Sequence, residues 1–213
     1  MKNLTDVIRD RRATPSFDGT PVPASDLRQI LDAGLHAPSG YNMQPWRFVV
    51  VQSPEQKRKL RAASYNQPKV EEASVVIVAC GDMDGWRKDL DMMLEMGLAN
   101  GMPESYAAQA RSSVPNYMSS FTTDQMKLWL NKQVMLAFTT MMLMAESLGY
   151  DTAPMEGFEQ DKVHEVLRLP LSYWVVAILG VGHLKGTDKF DGGRFPLNHT
   201  VFGEEYGKAL KLS

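Results

Sequence analysis

Hydrophobic residues along this chain follow two spacings, one typical of helices and one typical of buried strands. Apolar residues three or four positions apart indicate helices, whereas short valine-rich runs indicate strands that are covered on both faces. The helical spacing predicts helices over residues 4–10, 24–35, 54–63, 123–148 and 160–167. The extended spacing predicts strands over residues 46–51, 73–80, 151–155 and 173–181, with 73–80 as a central strand. Because 213 residues with 44% hydrophobic content suffice for one substantial core, residues 1–213 are expected to form a single domain.

Three segments predict features beyond that core. The helix over residues 123–148 is apolar on nearly every side, which implies burial in a core or in a subunit interface. Residues 84–121 are methionine-rich and helical in pattern, with breaks at 101–103 and 114–116, and are interpreted as a helical excursion and candidate lid. The C-terminal arm, residues 183–213, has too many large apolar residues for a solvated tail and is expected to dock, with a partner subunit as one candidate. These residues are Phe190, Phe195, Leu197, Val201, Phe202 and Tyr206.

Composition argues against several kinds of partner. The net charge is -2, the pI is about 6.1, and no basic cluster is interleaved with aromatic residues, so nucleic acid is not an expected partner. The first residues are charged and no run approaches the roughly 18 apolar residues of a membrane span, so a cytoplasmic protein without membrane contact is expected. The single cysteine, Cys80, ends an apolar run and is predicted to be an inert core residue.

A metal site is not expected, because the four histidines have no ligand spacing. The acidic residues around position 85 are interpreted as a solvated face. They are Asp82, Asp84, Asp89 and Asp91.

A polar, turn-rich loop over residues 37–45 runs directly into the predicted strand 46–51. Loops at strand ends often bind planar ligands. Small residues in this loop allow the backbone to approach a flat ring, and its amides can hydrogen-bond a ligand, although a tight structural turn is the alternative. The residues concerned are Pro38, Ser39, Gly40, Asn42 and Gln44.

Three arginines near opposite ends of the chain are candidates for binding an anion. Arg11 and Arg12 follow the first predicted helix, and Arg194 lies in a late glycine-rich loop. The guanidinium group matches the geometry of phosphate, so arginines that converge from the two chain ends would form an anchor for it. An arginine pair without such context is usually surface charge.

These segments, together with Asn66, Lys69 and residues 154–157, resemble the flavin site of the nitroreductase family, and the resemblance spans about residues 4–202. It implies an α+β fold with helices around a central, mostly antiparallel sheet, and an intertwined homodimer with an exchanged C-terminal tail. It also implies FMN at the dimer interface and NADH or NADPH as electron donor. Hydride would pass through FMN to a nitroaromatic, quinone or similar planar acceptor by a ping-pong mechanism.

The resemblance also assigns the flavin contacts, with no catalytic side chain because the flavin carries the electrons. Lys69 would stabilise negative charge near the flavin N1 and C2 carbonyl, and residues 154–157 would present backbone N–H groups to N5 and O4. Trp129, one turn from Gln133, is assigned to the core instead. The assigned cofactor-binding residues are Arg11, Arg12, Ala13, Pro38, Ser39, Gly40, Asn42, Gln44, Asn66, Lys69, Gln133, Pro154, Met155, Glu156, Gly157 and Arg194.

The phosphate-binding residues depart from the usual family pattern. Ala13 and Pro15 stand where a hydroxyl and a cation are common, and Gly192 stands where some relatives have lysine. Thr14 and Ser16 are candidates to compensate. Two alternatives to the nitroreductase activity therefore remain, namely a flavin-binding or sensing protein without turnover, and a specialised relative such as a dehalogenase, a flavin destructase or an azoline oxidase.

Overall fold

A four-stranded antiparallel sheet forms the centre of the fold. Its strands are β1 (Trp46–Val51), β2 (Val75–Asp82), β3 (Asp151–Met155) and β4 (Tyr173–Gly182). The computed structural model describes residues 2–187, 189 and 191–212. Strand order is β1-β2-β4-β3, so β2 and β4 are central and the other two strands form the edges. All residues of β2 are buried, which confirms the predicted central strand.

Helices cover both faces of this sheet. They are α1 (Leu4–Asp10), α2 (Ala24–Leu35), α3 (Pro54–Ala62), α4 (Pro68–Glu72), α5 (Gly85–Lys88), α6 (Leu90–Ala99), α7 (Glu104–Ser119), α8 (Thr123–Ser147), α9 (Gln160–Leu167) and α10 (Leu197–Thr200). On one face, α2 and α8 contribute Ile30, Phe138 and Met141 to the core. On the other face, α3 and α4 contribute Leu60 and Val70. The predicted α+β arrangement is confirmed.

The starts of the two predicted helices with the clearest sequence signals have side-chain caps. The Ser53 hydroxyl accepts a hydrogen bond from the Gln56 backbone N–H, and proline follows Ser53 at the first helical position. Thr122 and Gln125 form a reciprocal capping box at the start of α8. Local hydrogen bonding thus fixes where these helices begin.

The excursion over residues 84–121 consists of α5, α6 and α7, and it has its own apolar core. The predicted break at residues 114–116 is wrong, because α7 continues through Pro115. Val114 and Met118 are buried on one face of α7, so packing outweighs the loss of one helical hydrogen bond at the proline. Trp129 packs into the same core, as the sequence analysis assigned.

Cys80 lies in the layer between the sheet and α3, where it is fully buried. Burial raises the pKa of its thiol to about 12, so the predicted inert core role fits its surroundings. No helix among the described residues is long and apolar enough to cross a bilayer.

Apolar side chains are also exposed on two parts of the described chain. On α8, Leu128 and Leu136 point away from the core that buries Phe138 and its neighbours. In the arm, Phe195 is 74% exposed and Tyr206 is 92% exposed. Another arm residue of the predicted apolar set, Phe190, lies outside the described residues. The single chain therefore leaves uncovered the surfaces that the sequence analysis expected to dock.

Candidate active site

The segment after α1 is held against edge strand β3. Ala13 forms a parallel bridge to Thr152, and the Thr14 backbone N–H donates to the Thr152 carbonyl at 2.9 Å. This pairing fixes where Arg11 lies. Burial lowers the pKa of Arg11, and the positive charges of Arg194 and Arg12 lower it further. The Arg11 guanidinium therefore lies close enough to both other guanidinium groups to be repelled by them.

Arg11 is the cation in this group that is most available to a ligand. No described residue forms a hydrogen bond or ion pair with its side chain, although the group is partly buried, and the nearby charge of Glu146 offsets the lowering of its pKa only in part. A partly buried charge without a hydrogen-bond partner is costly. An anion between Arg11 and Arg194 would supply the missing interactions, so this donor set fits a phosphate group.

Arg12, in contrast, is engaged by the protein itself. Its Nη2 donates to Asp191 Oδ2 at 2.9 Å, and its Nη1 donates to the Arg11 carbonyl at 2.9 Å and to the Arg9 carbonyl. The other Asp191 oxygen accepts from the Gly193 backbone N–H at 3.0 Å. These contacts, led by the one with Arg12, lower the pKa of Asp191 to about 2. The sequence analysis did not single out Asp191, because its partner lies far away in the sequence.

Two loops predicted to face the flavin ring are joined beside the carboxyl end of β3. The Gln67 side chain donates to the Gly157 carbonyl at 2.8 Å. Tyr65 and Asn66 both have left-handed backbones, with φ of 51° and 55°. A Cβ at Gly157 would lie 3.4 Å from Gln67 and 3.5 Å from the Tyr65 ring, which is ordinary van der Waals contact, so these neighbours alone do not require glycine. Lys69 follows in α4, and no described residue accepts a hydrogen bond from its ammonium group.

The loop before β1 is held by two side chains. Gln133 Oε1, on α8, accepts a hydrogen bond from the Gly40 backbone N–H at 2.7 Å, and Ser39 Oγ accepts from the Gln44 backbone N–H at 2.9 Å. Tyr41, Asn42 and Gln44 have positive φ values of 56°, 55° and 45°. Residues in this conformation cost free energy and concentrate at functional sites. The three residues here and the two at 65–66 lie in the segments where the sequence analysis placed flavin contacts.

The predicted site residues form two separate groups in one chain. The cradle group adjoins β3, and the loop group lies between α8 and the start of β1. The cradle group contains Arg11, Arg12, Ala13, Asn66, Lys69, Pro154, Met155, Glu156, Gly157 and Arg194, and the loop group contains Pro38, Ser39, Gly40, Asn42, Gln44 and Gln133.

The groups lie at diagonally opposite corners of the sheet. Trp46 at the start of β1 is level with Trp174 on β4, whereas Thr152 is level with Val181. The levels of Trp46 and Thr152 are therefore about 23 Å apart along the strands. The three inter-strand steps from β1 to β3 add roughly 14 Å across the sheet, so the diagonal distance between these two residues is about 27 Å. Along α8, Gln133 and Glu146, which neighbours Arg11, are roughly 20 Å apart. The Arg11 end of the cradle group therefore lies far from the loop group within one chain, whereas Met155, which is level with Ile178, lies nearer to it.

A methionine-rich cavity of about 310 Å³ adjoins the loop group. It lies between the loop and α6 of the excursion, and Arg47 and Asp89 form an ion pair at its wall. Asp82 is only 3% exposed and lies near Lys88 and Arg47. The interpretation of Asp82 as part of a solvated face is therefore wrong. The other residues that line the methionine-rich cavity are Leu35, Met43, Gln44, Trp46, Met92, Met93 and Met96.

The fold and these two residue groups define a flavin-dependent class of oxidoreductase, and comparison with known proteins agrees. The Nitroreductase family model matches residues 8–183, so the chain belongs to the nitroreductase family. An NADH dehydrogenase of Thermus thermophilus is 32% identical over 191 residues, which cover 90% of this chain and 91% of that protein.

Solved structures show the same fold. A Staphylococcus epidermidis protein assigned as an NAD(P)H:FMN oxidoreductase has a TM-score of 0.88 and 25% identity, covering 94% of this chain and 95% of that one. An Exiguobacterium sibiricum protein assigned as a nitroreductase, solved in complex with FMN, has a TM-score of 0.87 and 27% identity, covering 96% and 98%. The predicted family, fold and oxidoreductase class are confirmed, and FMN and NAD(P)H agree with the names of these relatives. The individual contact residues remain predictions.

Proposed function

We propose that this protein is an FMN-dependent oxidoreductase that transfers hydride from NADH or NADPH to a nitroaromatic, quinone or similar planar acceptor. The observation that supports this most strongly is the partly buried guanidinium of Arg11 beside Arg194, which has no hydrogen-bond partner among the described residues. It fits the phosphate of a flavin mononucleotide, and loops typical of a flavin-ring site lie near the same edge strand. Bound FMN would accept the hydride and pass two electrons to the acceptor.

Within this proposal, the cradle group holds one end and one edge of the cofactor. Arg11 and Arg194 bind the phosphate, while Asn66 and Lys69 lie at the pyrimidine edge. Among the described residues none pairs with the Lys69 ammonium group, so it can stabilise negative charge that develops near N1 and the C2 carbonyl. Backbone N–H groups of residues 155–157 would face N5 and O4, since Pro154 has no N–H to offer.

The loop group reaches the same flavin from a second copy of the chain. Within one chain, the Arg11 end of the cradle group lies roughly 20–27 Å from the loop group, which favours a symmetric homodimer with two sites, each with one group from each copy. Exposed Leu128 and Leu136 on α8 and the exposed apolar residues of the arm provide surfaces for such a dimer. The part of the arm beyond Arg194 would then be exchanged between the two copies.

Donor and acceptor would occupy one space in turn, which gives ping-pong kinetics. The excursion over residues 84–121 would cover that space as a lid. Its methionines suit this role, because flexible thioether side chains adapt to planar ligands of different shape.

An anaerobic absorbance titration of the FMN-loaded protein with NADH, and separately with NADPH, tests the proposal. Stoichiometric bleaching of the bound flavin supports the oxidoreductase and identifies the better donor. Binding of FMN without bleaching would favour the flavin-binding protein without turnover, or a specialised relative. Absence of FMN binding would contradict the assignment of the cradle.

A further inference from the structure

The start of the C-terminal arm meets the body of the protein through two opposite charges. Lys189 forms an ion pair with Asp151 and lies 3.8 Å from the carboxylate of Glu146. Two positions later, Asp191 forms an ion pair with Arg12. The arm therefore contacts the body with a cation first and an anion second, and each meets a charge of opposite sign.

The body side of these contacts is more buried than the arm side. The Glu146 and Asp151 side chains are largely buried, and Lys2 also pairs with Glu146 at 2.8 Å. Arg12 is mostly covered, and its Nη1 is fixed by two backbone carbonyls. These contacts fix the direction in which Nη2 points. Arg12 can therefore hold the Asp191 carboxylate in one geometry, which a mobile surface pair would not do.

The contact at Asp191 also determines the backbone that leads to Arg194. Asp191 accepts from the Gly193 N–H, and Gly193 has a left-handed φ of 70°, which glycine adopts at little cost. This turn places Arg194 where its charge acts on Arg11. The described residues beyond it are largely exposed, so they offer little other support from this chain.

We propose that the pairs Lys189–Asp151 and Asp191–Arg12 form a two-point ionic clamp that fixes the start of the arm and holds Arg194 beside Arg11. Arg12 and Asp191 are then positioning residues, and Arg12 does not itself bind the phosphate. This inference rests on the proposed FMN site.

The test compares the affinities for FMN and for riboflavin, which differ only in the phosphate. Flavin-free wild-type protein and the variants Asp191→Ala, Arg12→Ala and Arg12→Ala/Asp191→Ala are titrated by fluorescence quenching. Each single variant should weaken FMN binding about tenfold and riboflavin binding less than about twofold, as expected for loss of a charge-assisted contact. The double variant should be no weaker than either single variant, because both lesions break one pair. Asp191→Glu should restore FMN binding to within about threefold.

Arg9→Ala is the matched control, because it removes one positive charge from α1, shortly before Arg12, while the Arg9 side chain forms no hydrogen bond or ion pair with a described residue. It should leave the ratio of FMN to riboflavin affinity nearly unchanged. FMN binding that is unchanged or tighter in Asp191→Ala would overturn the clamp, as would additive losses in the double variant or equal losses of riboflavin affinity.

Tryptic cleavage after Arg194 in flavin-free protein separates failure of the clamp from failure of the proposed function. Faster cleavage in Asp191→Ala than in wild type or Arg9→Ala supports the clamp, whereas equal rates overturn it. If the wild-type protein binds neither flavin and trypsin still cleaves Asp191→Ala faster than wild type, the FMN site is overturned while the arm contact is established.

Discussion

Replacing Arg11 by methionine should weaken FMN binding while stabilising the flavin-free protein. Methionine retains an unbranched apolar stem and removes the charge. In the flavin-free chain that charge is unfavourable, because burial and the neighbouring Arg194 and Arg12 lower the Arg11 pKa. A base whose pKa is lower in the folded state reduces folding stability at every pH where it is protonated, so its removal should raise the melting temperature.

The expected loss of FMN affinity follows from the contact that is removed. A hydrogen bond to a charged group contributes about 1.5–3 kcal/mol, and each 1.4 kcal/mol is about tenfold, so the dissociation constant should rise roughly 10- to 150-fold. Riboflavin has no phosphate, so its affinity should change less than about twofold.

Fluorescence titrations with both flavins measure the affinities, and thermal unfolding of flavin-free protein measures the stability. Arg9→Met is the control, since Arg9 lies in α1, which ends just before Arg11, and its side chain forms no hydrogen bond or ion pair with a described residue. Equal losses of FMN and riboflavin affinity in Arg11→Met would refute the phosphate role. A lower melting temperature would refute the argument from charge repulsion.

Three other substitutions or treatments test separate parts of the structure. Gln133→Leu removes the acceptor of the Gly40 N–H, so the affinities for FMN and riboflavin should fall together by about 1–3 kcal/mol. Gln133→Glu keeps an acceptor and should bind both flavins more tightly than the leucine variant in the same titrations. Phe138→Ala should reduce the free energy of unfolding by about 3–5 kcal/mol in urea denaturation because Phe138 is fully buried, whereas Leu128→Ala at an exposed position should matter far less in an isolated chain. Cys80, with its pKa raised to about 12 by burial, should react with a thiol-specific disulfide reagent only after denaturation, and prompt reaction of the native protein would contradict its burial.

Much of the fold could be predicted from sequence because its periodicities are strong. The valine run of β2 and the long apolar pattern of α8 indicated the two layers that meet in the core. Short or exceptional elements were less predictable. The five-residue helix α4 is too short to show a periodic pattern, and the buried neighbours of Pro115 outweigh its local preference to break a helix.

The candidate site was predictable only as far as local motifs extended. The loop before β1 and the pair Asn66 and Lys69 belong to recognisable local sequence motifs. The loop forms most of the loop group, and Asn66 and Lys69 lie in the cradle group. Pairing between distant residues has no such signal, because the sequence alone does not show which charges meet after folding. The contact between Arg12 and Asp191 spans 179 positions, and Asp82 was misinterpreted because its partners come from other elements.

The central claim is that each flavin lies between an arginine cradle from one copy and the loop group from another. One chain type should carry Arg11→Met and Arg194→Met, and a second should carry Ser39→Ala and Gln133→Leu, which removes both side chains that hold the loop. Hybrid dimers, isolated through two different affinity tags, are then assayed for bound FMN. If each site combines two copies, the hybrid has one intact site and one doubly damaged site, so it should bind one FMN while either parent homodimer binds poorly. A hybrid that binds FMN no better than its parents would contradict the account.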